Sequence, residues 1–118
     1  MIKKTLKIEL FQSAEQDPTF NQFENELGTI TSSVRELKGK YIITIPNAFK
    51  DFVNFFCPQN KQVFNVVGGL EGSFVLFAQI ISDSEIEIST QDIDGAYWED
   101  SLAYVPLHLE VYFNDFVN

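Results

Sequence analysis

From Gln62 to Asn118 the chain has no lysine and no arginine. The same stretch carries ten carboxylates, Glu71, Asp83, Glu85, Glu87, Asp92, Asp94, Glu99, Asp100, Glu110 and Asp115. Nucleic acid and anionic membrane surfaces are held by clustered Lys and Arg, so neither is an expected partner. There is one cysteine, Cys57, and one histidine, His108. That count excludes an internal disulfide and any metal site built on clustered thiolates or imidazoles, and a lone thiol suits a reducing, cytoplasmic compartment. No apolar run reaches the roughly 18–20 residues that a membrane-spanning helix needs. Met1 to Lys7 begins like a secretion signal, but Leu6, Ile8 and Leu10 alternate with Lys7 and Glu9 and leave no continuous apolar segment. Linkers and low-complexity tracts are also missing, so residues 1–118 are expected to form a single domain.

What is present is an ordinary core composition with an uneven charge. Hydrophobic residues make up 45% of the chain, with twelve Phe, which suits a packed domain rather than a disordered one. The formal net charge is −9. Residues 1–50 are nearly balanced, with seven basic groups against six acidic ones, so the excess falls on residues 51–118. A small domain that concentrates one sign of charge builds a potential of several kT and steers oppositely charged partners toward itself.

Residues 2–11 alternate with period two, as a half-buried strand does. Asp17-Pro18 offers an N-cap and a first-turn proline. Phe20, Phe23 and Leu27 follow at helical spacing before Gly28, which predicts a helix of about ten residues. Thr29–Leu37 and Lys40–Ile45 are β-branched runs around Lys38-Gly39, a hairpin pattern. A second helix is expected from Pro46-Asn47 to Phe56, because Phe49, Phe52, Val53 and Phe56 recur at i, i+3, i+4 and i+7. Lys61–Val67, Ser73–Ile81 and Glu85–Thr90 read as a three-stranded meander. The last segment fits two periods. Leu107, Leu109, Val111 and Phe113 alternate like a strand, whereas Leu109, Tyr112, Phe113, Phe116 and Val117 share a helical face, and Pro106 as a first-turn residue favours the helix. The expected fold is α+β, a mostly antiparallel sheet of about six strands with two or three helices packed on one face.

Catalytic signals are weak. Cys57 and His108 are the only pair that could form a thiol–imidazole dyad. Cys57 follows a phenylalanine-rich segment beside Pro58, where a small apolar filler is the ordinary role. Asp92-Ile93-Asp94-Gly95 resembles part of a calcium loop. Aligning Gly95 with the loop's invariant glycine puts Thr90 first and Ser101 twelfth, where a bidentate glutamate is required. Gly68-Gly69-Leu70-Glu71-Gly72 leads into a strand and not a helix, so it lacks the helix N-terminus that holds phosphate. No catalytic residue, metal or cofactor is assigned.

Asp92 to Tyr104 differs in composition, with the sole tryptophan, two tyrosines and four carboxylates. Aromatic anchors ringed by acids suit a binding hot spot for a basic partner. The other role open to them is a loop plug, with Tyr97 and Trp98 in the core and the acids solvated. Glu85 and Glu87 alternate with Ile86 and Ile88, so both acids share one strand face, and Asp83 would extend that acidic edge. Acids on a strand also discourage edge-to-edge aggregation. The candidate partner-binding residues are therefore Asp83, Glu85, Glu87, Asp92, Asp94, Tyr97, Trp98, Glu99 and Asp100.

A small, acidic, cofactor-free cytoplasmic domain with an aromatic and acidic loop resembles the bacterial immunity proteins that neutralise nuclease toxins, including those of contact-dependent growth inhibition. The resemblance covers the charge distribution and Asp92–Tyr104. It implies a non-enzymatic inhibitor of a basic partner, the nuclease domain of a competition toxin. Two alternatives stand beside it. One is a phage-type nucleic-acid mimic that blocks a restriction or CRISPR complex, which needs regularly spaced surface acids. The other is a small-ligand binding domain with its pocket among the phenylalanines.

Overall fold

Apolar and polar residues alternate along β1 (Ile2–Phe11), so Leu6, Ile8 and Leu10 point to one side and are almost fully buried. The structure, a computed structural model, describes residues 2–65, 73–92, 102 and 104–114. The strands that follow are β2 (Thr19–Asn25), β3 (Ser32–Leu37), β4 (Lys40–Thr44), β5 (Phe52–Phe56), β6 (Val63–Asn65), β7 (Ser73–Ile80), β8 (Glu85–Asp92) and β9 (Val105–Phe113). They form two antiparallel sheets, one in the order β2-β1-β9-β5 and one in the order β3-β4-β8-β7-β6. The buried rows of both sheets join in one apolar cluster. Leu6, Ile8, Leu107, Leu109 and Val111 come from the first sheet, and Tyr41, Ile43, Leu76, Ile86 and Ile88 from the second. Each buried aliphatic side chain in such a cluster contributes about 1.5–3 kcal/mol relative to exposure. Face-to-face burial of two alternating sheets is the β-sandwich solution.

No α-helix is present among the described residues, so the α+β expectation is overturned. The first two expected helices are the strands β2 and β5, and each contains a register shift against its neighbour. Opposite β1, Glu24 pairs with Lys7 and Gln22 with Ile8, leaving Phe23 as an extra residue. Opposite β9, Phe52 pairs with Phe113 and Asn54 with Tyr112, leaving Val53 extra. A bulge of this kind changes the spacing of same-face residues from two to three across it. Phe52 and Phe55 then fall at i and i+3 and imitate a helical stripe, and on β2 the extra residue Phe23 falls at i+3 from Phe20 although it faces outward. Phe and Val also favour strands over helices, a bias that the spacing pattern ignores.

The third expected helix is β9, which with β1 forms the longest ladder among the described residues, from Ile2 opposite Phe113 to Leu10 opposite Val105. Its period-two pattern is genuine, with Leu107, Leu109 and Val111 buried. Pro106 is tolerated in this central strand for a specific reason. His108 sends its N–H away from β1 to Gln59 Oε1, at 2.6 Å. Alternate residues share a side, so the hydrogen missing from Pro106 would also have pointed toward β5. The β5 ladder has ended by then, at Phe56 opposite Glu110. The proline therefore removes no ladder bond.

The expected single sheet of about six strands is instead two sheets with nine strands among the described residues, and the expected turn at residues 68–72 lies outside them, but two local pairings match. β3 and β4 form the hairpin around Gly39, whose φ of 72° only glycine adopts without strain. β6, β7 and β8 form the meander. A buried polar link also joins the two sheets: the Tyr41 hydroxyl on β4 donates to Gln12 Oε1 just beyond β1, and both residues are fully buried.

Candidate partner-binding face

The outward row of β8 holds Glu85 and Glu87, opposite the buried Ile86 and Ile88. Glu85 lies across from Thr44 of β4, and Glu87 across from Ile42 on one side and Gln79 on the other. The hairpin adds β3, so that Val34 stands beside Ile42 and Ser32 beside Thr44. Together with Glu36 and Ile81 these residues line a groove of about 410 Å³. Its floor is Ile42, which sits in the outward row yet is only 7% exposed. Glu36, Glu85 and Glu87 are among the residues that line its walls. Glu87 also borders a neighbouring hollow of about 360 Å³ with Lys40, Phe77, Gln79 and Gln91.

The carboxylates are held differently. Ser82 Oγ donates to Glu85 Oε1 at 3.0 Å, and Ser89 Oγ donates to Glu87 Oε1 at 3.5 Å. Glu36 makes no hydrogen bond or ion pair among the described residues. Residues two apart on a strand are about 7 Å apart, where two like charges repel by about 0.6 kcal/mol in bulk water and about 2.4 kcal/mol at an effective dielectric of 20. A cation seated between them would convert that repulsion into attraction. The groove suits a lysine or arginine side chain, with the apolar stem on Ile42 and the head among the acids.

The other site residues read from the sequence divide three ways. Asp83 is exposed in the β7–β8 turn, next to this face, and its carbonyl accepts the Phe49 N–H at 2.8 Å. Asp92 lies five residues from Glu87, an odd number, so it belongs to the opposite row, in register with the buried Phe74. The structure therefore separates it from the acidic edge. Asp94, Tyr97, Trp98, Glu99 and Asp100 lie outside the described residues. Glu36, Val34, Ile42 and Ile81 were not selected from the sequence. The hairpin pairing around Gly39 was a signal that could have found the first three.

Cys57 and His108 do not meet as a dyad. The Cys57 thiol donates to Gln59 Oε1 at 3.7 Å, and that same oxygen accepts the backbone N–H of His108. The imidazole Nε2 has no hydrogen-bond partner among the described residues and lies 3.9 Å from Glu110 Oε1. Burial pushes the Cys57 thiol up from its ordinary range, against two opposing backbone hydrogen bonds. That is the reverse of what thiolate catalysis requires. No group of acidic, histidine or cysteine side chains among the described residues could hold a metal ion. The described residues hold no helix long and apolar enough to cross a membrane. Comparison of the chain with protein-family models, with curated proteins and with solved structures finds no match.

Proposed function

We propose that the chain is a non-catalytic binding protein that receives a basic protein partner on the outer face of its five-stranded sheet. The observation that carries this reading is the gathering of Glu36, Glu85 and Glu87 around the apolar floor of one groove. The net charge of −9 supports it from a distance, by accelerating encounter with a positive surface. The specific form we infer is a cytoplasmic inhibitor of a nuclease toxin domain, whose phosphate-binding cleft is necessarily basic. Three carboxylates about a single groove favour a local protein contact over a nucleic-acid mimic, which needs acids repeated over an extended face.

The test is co-expression with the nuclease-like domains encoded beside its gene, scoring cell survival and co-purification. Wild type should rescue growth and co-purify with one of them. The variant Glu36→Gln/Glu85→Gln/Glu87→Gln should do neither while remaining folded. Rescue by this triple variant would exclude this face as the interface.

A further inference from the structure

On the opposite side of the sandwich, the outer face of β2-β1-β9-β5 is chemically different. Lys3 pairs with Glu110 at 3.2 Å and Lys7 with Glu24 at 3.4 Å, so its cations are matched. Between β1, β9 and the β2 bulge lies a groove of about 530 Å³, within the roughly 300–1,000 Å³ of small binding sites. Two aromatic rings flank it. Phe23 is the extra residue of the bulge and is 65% exposed. Bulges re-aim a side chain in this way, and they recur next to binding sites. Tyr104 is 61% exposed, with its ring stacked on Phe11 at 5.2 Å. Its backbone sits at φ 51°, a region that bulky residues rarely occupy. Pro106 and Leu107 continue the apolar lining.

One charge in this groove is unmatched. Glu9 is half-buried on the wall, across the ladder from Pro106, and its carboxylate makes no hydrogen bond or ion pair among the described residues. A carboxylate between exposed aromatic faces is complementary to a flat cation. A guanidinium stacks on a ring by cation–π attraction and presents a two-pronged donor to a carboxylate. An ammonium has neither the plane nor the fork, and an uncharged ring leaves Glu9 uncompensated. We infer that this groove is a second binding site, which takes an arginine side chain of a peptide segment between Phe23 and Tyr104 and against Glu9. It stands independently of the acidic face on the other sheet.

The experiment is an amide chemical-shift titration of the full chain with acetyl-Gly-Arg-Gly-amide, and with the same peptide carrying lysine or citrulline. The arginine peptide should bind with a millimolar Kd and shift the amides of Lys7, Glu9, Phe23 and His108. Lysine should bind at least about threefold more weakly and citrulline at least about tenfold, because the first loses the plane and the second the charge. Glu9→Gln and Phe23→Ala should each weaken binding by at least about fivefold with the rest of the spectrum unchanged. The proposal is overturned if citrulline binds as well as arginine. It is equally overturned if both variants bind normally, if the shifts fall only around Glu36, Glu85 and Glu87, or if no saturable shift occurs.

Discussion

The buried link between the two sheets gives the sharpest stability prediction. Gln12 is fully buried, and among the described residues its carboxamide has one side-chain partner, the Tyr41 hydroxyl, while its Nε2 has none. Tyr41→Phe keeps the ring and its packing but leaves the whole carboxamide unsatisfied away from water. An orphaned buried polar group costs about 1–3 kcal/mol, so a loss of about 2 kcal/mol is expected. For 118 residues, at about 2.1 cal/mol/K of unfolding entropy each, the total is about 0.25 kcal/mol/K. The melting temperature should therefore fall by about 8 °C. Adding Gln12→Leu to Tyr41→Phe removes both carboxamide atoms and leaves an aliphatic group of similar reach. Because the penalty belongs to the orphan and not to the lost bond, the double variant should regain at least about 1 kcal/mol over Tyr41→Phe. Urea unfolding of wild type and the two variants, compared by midpoint at constant slope, measures both steps. A double variant less stable than Tyr41→Phe would refute the reasoning, by showing that Gln12 contributes something other than its oxygen.

Other outcomes follow from the same structure. Far-ultraviolet circular dichroism should show a sheet spectrum without the helical double minimum, and substantial helix would contradict the two-sheet fold. Cys57→Ala should leave partner binding unchanged, since the buried thiol bonds to Gln59 and the Asn60 backbone and lines no part of the acidic groove. Burial raises the folded pKa of this thiol above its ordinary 9.0. The stability linked to it is thus fully present below about pH 9 and is lost as pH rises past that value. Wild type should lose stability relative to Cys57→Ala in urea titrations above that pH, and a constant difference would count against a buried neutral thiol.

The sheet-forming half of the fold was legible because its period was clean. β1 alternates cleanly from Leu6 to Leu10, Gly39 marks the β3–β4 hairpin, and β7 and β8 alternate around a short Ser82-Asp83-Ser84 turn. The reading failed where a bulge inserted one residue. Phe20, Phe23 and Leu27 would share a helical face, but on β2 the Phe20 ring packs against the core and Phe23 points outward. Sequence spacing alone cannot separate a bulged strand from a short amphipathic helix. β9 failed for another reason: Pro106 was weighed as a helix start, when the end of the β5 ladder simply left its position without a bond to make. At the candidate site, Glu85 and Glu87 were legible from alternation, and the same parity argument would have removed Asp92 from their face. Glu36 and Ile42 come together through the β3–β4 hairpin that Gly39 marks, but setting that hairpin beside Glu85 and Glu87 required the β4–β8 pairing, which no local pattern encodes.

The central claim is that a basic partner docks on Glu36, Glu85 and Glu87. Its most direct test is the affinity of the co-purified partner for wild type and for Glu36→Gln/Glu85→Gln/Glu87→Gln, at about 50 and 500 mM salt. The account predicts at least about 100-fold weaker binding by the variant at low salt, about 2.7 kcal/mol, with a gap that narrows as salt rises. Equal affinity of the two proteins, or wild-type binding that does not respond to salt, would contradict it.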